Sequence, residues 1–234
     1  QTENAVRSVT DLNKAMTLVD MTMSNMSGSS LYSLKQQSLS MAKDLSAATK
    51  TVTDAVTIYA NENESVSSML NKAQPTVLLS AASGMSSSSS ADAIQGILNQ
   101  FNLSEDQAMH VADTVEKLSS EIALDFSKGC DTISQSIATS GSVVNEAGMS
   151  FEKYAALVST TAEKTRVSGS QIGNAFKTIF SRISRSKDGL TTDAEMSDAE
   201  AALKSVGVSV RRADGDLRDI SDTLDDLNKV CIMQ

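Results

Sequence analysis

The chain has 234 residues, a formal net charge of -9, one proline and no tryptophan, and only 3% of its residues are aromatic. With 40% hydrophobic residues it can bury a core, but one built from aliphatic side chains and methionine rather than rings. Net acidity argues against a nucleic-acid surface, since neutralising phosphates needs basic charge, and two cysteines with one histidine leave little for catalysis or metal binding.

Scarce proline, few aromatics and abundant Ala, Ser, Met and Leu favour helix over sheet. In chain order, Val9, Leu12, Met16, Val19, Met23 and Met26 alternate three- and four-residue steps, which reads as an amphipathic or coiled-coil helix over 1–27 that continues upstream. Gly28-Ser29-Ser30 ends that stripe. A second stripe runs through Leu31, Leu34, Ser38, Met41 and Leu45. Helical spacing resumes at Val52, Ala55, Val56 and Tyr59, and again at Val66, Met69, Leu70, Ala73 and Val77, where Pro75 is expected to kink the helix.

The five serines 86–90 read as a helix start rather than a linker. Gly84 precedes them as a C-cap, and Ala91, Ile94, Ile97, Leu98 and Phe101 follow at helical spacing. Ser104-Glu105-Asp106-Gln107 is a capping box, ahead of Ala108, Val111, Val115 and Leu118. Ile133, Ile137, Ser140 and Val144 form the next face, closed by Gly148. Ser150 then caps a helix that buries Phe151, Tyr154, Ala155, Val158 and Ala162. Gly-Met-Ser thus occurs twice, at 84–86 and 148–150, each time between two helices, which suggests stacked helical hairpins rather than one rod.

Towards the carboxyl end, Val206 to Val210 alternates and Asp214-Gly215 follows, a hairpin signal. Asp219 to Val230 returns to helix. The expected fold is mainly α: a multi-helix bundle of stacked hairpins with a small β-hairpin near the C-terminus. The expected segments are the first helix at 1–27, a helical core at 28–187, and a helix, hairpin and terminal helix at 188–234. No apolar run reaches the roughly 18 residues of a membrane span. The polar start without Met reads as part of something longer.

Little chemistry is visible. His110 shares a helix face with Asp106 and Asp113, a thin basis for zinc. Nothing around Cys130 activates a thiol. The acids from Asp214 to Asp226 fail the calcium-loop pattern at Arg218, Asp219 and Asp225. No phosphate loop, dinucleotide fingerprint or nucleophile elbow occurs, so no cofactor and no enzymatic activity are expected.

The broadest apolar stripe is Ile172, Ala175, Phe176, Ile179, Phe180 and Ile183, backed by basic Lys177, Arg182, Arg185 and Lys187. Residues Thr165 to Arg182 resemble the signature of tail tape measure proteins of long-tailed bacteriophages and prophages. Ala73 to Ser80, Asn99 to Phe101, Val111 to Asp113, Ala147 to Ser150, and Val206 to Val208 followed by Arg218-Asp219 resemble further parts of the same family, so the resemblance runs from about residue 30 to 229. Within it Gly169, Ile172, Gly173, Phe176, Ile179 and Phe180 are packing positions, and Lys177, Arg182 and Arg185 an exposed basic face. Cys130 departs from the family in standing where a small residue is expected.

The resemblance implies an assembly role: several copies in the tail-tube lumen, scaffolding tube polymerisation, setting tail length and leaving ahead of the DNA. Implied partners are further copies of the chain, the tail tube protein, tail-tip or baseplate proteins and a tail assembly chaperone, with no sequence-specific nucleic acid. The protein would reside in the virion, and in the host cytoplasm during assembly. The competing reading is a bacterial signalling or adaptor bundle resembling a chemoreceptor cytoplasmic domain, which calls for a long uninterrupted heptad hairpin.

Overall fold

Local capping divides the chain into short helices. The computed structural model describes residues 2–23, 26–62, 64–122, 125–184, 198–216, 218, 219, 222–226 and 229, with side chains from Val9 to Ser181 and from Glu200 onward within those ranges. In order these are α1 (Thr2–Thr22), α2 (Gly28–Asp44), α3 (Thr49–Asn61), α4 (Val66–Ser83), α5 (Ser87–Phe101), a 3-10 turn (Glu105–Gln107), α6 (Ala108–Glu121), α7 (Phe126–Glu146), α8 (Phe151–Thr165), α9 (Gly169–Ser184) and α10 (Asp198–Ser205). The longest, α1 and α7, have 21 residues each; no described helix forms the long hairpin of a chemoreceptor-like rod.

Serines start many of these helices. The side chains of Ser27, Ser65, Ser86 and Ser150 each accept a first-turn backbone N–H, which satisfies an otherwise orphaned donor. Gly28 therefore opens α2 instead of closing α1. At both Gly-Met-Ser junctions the glycine is left-handed, with φ of 72° at Gly84 and 90° at Gly148. The methionine packs on the core and the serine caps the next helix. Helix α4 runs unbroken through buried Pro75.

Two apolar clusters result. The first joins α1–α4: Leu12, Met16, Val19, Leu34, Val52, Val56, Tyr59, Met69 and Val77 are all buried. Helix α1 packs on α3, so its stripe faces this core, although Val9 is 55% exposed. The second cluster runs from Leu79 on α4 to Phe180 on α9 and surrounds α7. Helix α4 contributes to both.

Polar groups tie α4 down. Lys72 is 3% exposed; its ammonium pairs with Glu64, lies 3.8 Å from Glu62 and donates to Gln95 Oε1 at 2.7 Å. It also sits 4.7 Å from the centroid of the Tyr59 ring, a cation–π contact. The hydroxyl of Ser68 bonds to Glu64 at 2.7 Å and to Glu105.

The expected β-hairpin is not supported: among the described residues there is no β-strand. The alternating run from Val206 is instead a helix end. The N–H groups of Val206 and Val208 return to Leu203 O, that of Gly207 to Lys204 O, and Gly207 has φ of 84°. Those amides, spent on capping carbonyls of α10, cannot enter a ladder. Beyond lies a turn in which Arg212 N–H donates to Asp216 O at 2.8 Å and Arg218 N–H to Val210 O at 2.9 Å. Ion pairs hold it: Arg211 to Glu200 at 3.2 Å and Arg218 to Asp226 at 2.7 Å.

Candidate functional site

The motif that stands out in the sequence forms the seam between α7 and α9. Ser168 starts α9 with a reciprocal pair of bonds. Its N–H donates to Gln171 Oε1 at 3.2 Å, and Gln171 N–H donates to Ser168 Oγ at 3.4 Å. One turn apart on that helix, Gly169 and Gly173 face α7. A methyl group at Gly173 would lie 2.8 Å from Ser136 O and 2.7 Å from Thr139 Cβ, and one at Gly169 would run into the Thr132 carbonyl. Only glycine permits this approach. The buried Ser136 hydroxyl uses it, donating to Gly169 O at 2.8 Å.

Beyond the glycines the seam is filled by rings. Ile172 and Phe180 are each 1% exposed. The ring centroid of Tyr154 is 5.6 Å from that of Phe176 and 6.3 Å from that of Phe180, both edge-on, the favoured geometry for aromatic pairs. Tyr154 bonds through its hydroxyl to Ser140, and burial pushes its pKa up to about 12.

Gly169, Gly173, Ile172 and Phe180 thus lie in the seam, and Phe176 is half-buried against it. Ile179, expected inward, is 48% exposed, because α7 and α8 cover a narrower arc of α9 than the stripe has. Lys177 is exposed; the Arg182 side chain, and Arg185 and Lys187 altogether, lie outside the described residues. Sequence reasoning missed the other half of the seam, Thr132, Ser136 and Thr139. Its signal is the run of small residues at helical spacing, Thr132, Ser136 and Ser140.

Among the described residues no reactive constellation accompanies this packing. His110 Nε2 lies 2.8 Å from Glu152 Oε1, with the two side chains 51% and 48% exposed. Cys130 is fully buried, and burial pushes its thiol pKa up, away from nucleophilic thiolate. Among the acids of the C-terminal region, Asp219 pairs with Lys153 and Asp226 with Arg218. Among the described residues no three His, Cys, Asp or Glu side chains are grouped to hold a metal, and no helix is long and apolar enough to cross a membrane.

What the seam offers is a rigid, glycine-dependent junction in a helical scaffold. A family model described as phage-related minor tail protein matches residues 35–231, from within α2 through α9 and beyond. The chain belongs to that family. Membership gives it a structural role in a phage tail and places it in the virion tail. It is 24% identical over 190 residues to the probable tape measure protein of Escherichia phage P2, a match covering 81% of this chain but 22% of that protein. The chain therefore spans about a fifth of the length of the curated relative it matches. No solved structure matches it.

Proposed function

We propose that the chain is the folded module of a tape measure protein, which scaffolds tail-tube polymerisation, contributes to setting tail length and leaves ahead of the DNA. The observation that carries this is the similarity to the probable tape measure protein of phage P2 over most of the chain. The role in this reading is structural, and the close packing of the α7–α9 seam supports it.

In this reading the module sits in the lumen of the tail tube and, during assembly, in the host cytoplasm. Its partners are further copies of itself, the tail tube protein, tail-tip or baseplate proteins and a tail assembly chaperone. The net charge of -9 suits a protein that DNA follows rather than one that binds it.

Electron microscopy tests the ruler. Particles are compared from cells making the protein that carries this chain, with and without an in-frame deletion of helical sequence outside residues 1–234. Tails shortened by about 1.5 Å per deleted residue are expected. Tails of unchanged length would overturn the reading.

A further inference from the structure

A glycine inside a helix costs about 0.5–1 kcal/mol against alanine, so it calls for a compensating contact. At Gly129, Gly141, Gly169 and Gly173 that contact is a neighbouring helix or side chain too close to admit a methyl group comfortably. Gly96, in the middle of α5, has none: a methyl group there would meet no heavy atom within 4 Å.

Gly96 lies in a groove of about 200 Å³ between α5 and α7, beside Ala93 and Ala138. Ser134 lines the same groove, is 9% exposed, and its Oγ has no hydrogen-bond partner among the described residues. Asp92 and Asp131 also line it. A floor of small residues lets a helix backbone approach closely, and the two acids, of which Asp131 also accepts from Gln135 Nε2 at 2.7 Å, select one that carries a cation.

The chain contains such a helix in α9, whose 16 residues hold Lys177 and Arg182 and no acid, in a chain that is acidic as a whole. On α9, Lys177 is exposed, and Ser170, Asn174 and Ser181 share its side at steps of four, three and four residues. These are small polar residues that do not hold a neighbour away.

We propose that the α5–α7 groove is a docking site for α9 of a second copy of this chain, with Lys177 set against Asp92 and Asp131 and the partner backbone over Gly96. The inference deepens the self-association in the proposed function, and rests on it, by naming the two surfaces that meet. Because groove and α9 are different surfaces, the contact is α9-to-groove rather than like to like. Groove-to-groove packing would set acid against acid.

The test is sedimentation equilibrium of the 234-residue chain over a range of concentrations at low and high salt. The wild type is expected to self-associate, less so at high salt. Gly96→Leu fills open space and replaces a glycine inside a helix, so it should melt no lower than the wild type and sediment as a monomer. Lys177→Glu should weaken association by at least about tenfold, and Asp92→Arg combined with Lys177→Glu in one chain should restore it. Should Gly96→Leu melt early, the charge pair still decides, because both of its residues are on the surface. A wild type that is monomeric throughout overturns the inference and leaves the tail-length experiment unaffected. A folded Gly96→Leu variant that associates like the wild type, or a charge swap that restores nothing, overturns it too.

Discussion

The two cores of this molecule solve the same packing problem with different materials. All five phenylalanines belong to the second cluster, where Phe101, Phe151 and Phe180 are buried and Phe126 and Phe176 pack against it. The first cluster has one buried ring, Tyr59, among aliphatic and methionine side chains. Rings with edge-on contacts fix α8 against α5 and α9, whereas flexible methionines specify poorly. In the first cluster specificity falls to polar groups: the Lys72 network, and the Tyr59 hydroxyl bonded to Thr76 Oγ1 at 2.7 Å. A helical bundle poor in aromatics can thus be specified by rings where it has them and by buried charge where it does not.

If rings hold the second core, removing one should have the largest effect. Phe180→Ala is expected to cost about 3–5 kcal/mol in urea denaturation, and half-buried Phe176→Ala about half as much. Equal costs would mean that α9 sits deeper than its exposure pattern implies. On the other side of the comparison, Lys72→Ala removes a buried ammonium from the part-buried Glu64 carboxylate and should cost about 3 kcal/mol. Replacing the pair together, Lys72→Met with Glu64→Gln, should recover most of that loss. A double variant as weak as the single would show that the ammonium contributes more through Tyr59 and Gln95.

Alkaline pH probes the second core through Tyr154. Its pKa is raised by burial to about 12, against about 10 in the unfolded chain. The folded state therefore holds the phenolic proton more tightly. The stability involved is fully present below pH 10 and is lost as pH rises from 10 through 12. Two units correspond to roughly 2–3 kcal/mol, so a pH series of melting curves should fall over that window, and Tyr154→Phe should flatten it. Tyr59 is raised by burial as well and keeps some of the slope in the variant. A Tyr154→Phe slope equal to wild type would place the alkaline sensitivity outside Tyr154, at Tyr59 or at the buried Cys130 thiol.

The glycine seam comes next. Gly173→Ala puts a methyl group 2.8 Å from Ser136 O, a backbone atom that cannot swing aside, and overpacking of this kind costs typically about 1–3 kcal/mol. By contrast Gly96→Ala, in open space, should gain up to about 1 kcal/mol. Thermal melts of the two variants should move in opposite directions.

What could be read from sequence follows from how local each signal is. Caps involve residues three or four apart, so the two Gly-Met-Ser junctions and the Ser104–Gln107 box were legible. The hairpin reading failed because alternation in Val206–Val210 is short, and Gly207 serves a helix end equally well; only the hydrogen bonds from 206–208 back to Leu203 and Lys204 separate the two. Ile179 was misplaced because periodicity gives the direction of a stripe but not how much of it the neighbours cover. Lys72 was invisible as a buried residue: its partner Gln95 lies 23 positions away, and no pattern within one helix announces it. The α7 half of the seam is Thr132, Ser136 and Thr139, small polar residues that an apolar scan passes over.

The smallest expected effect marks the outer boundary of the aromatic core. His110 meets Glu152 at 2.8 Å with both side chains about half exposed, where solvent screens the pair to below about 1 kcal/mol. Its ring also lies edge-on to Phe151, centroids 6.4 Å apart. A double-mutant cycle with His110→Ala and Glu152→Ala should therefore give a coupling under about 1 kcal/mol that shrinks further with salt. If His110→Ala alone instead costs more than about 2 kcal/mol and salt leaves that cost unchanged, the histidine acts through Phe151. The ring network would then reach the surface of α6, and the contrast between the two cores would be sharper than burial alone indicates.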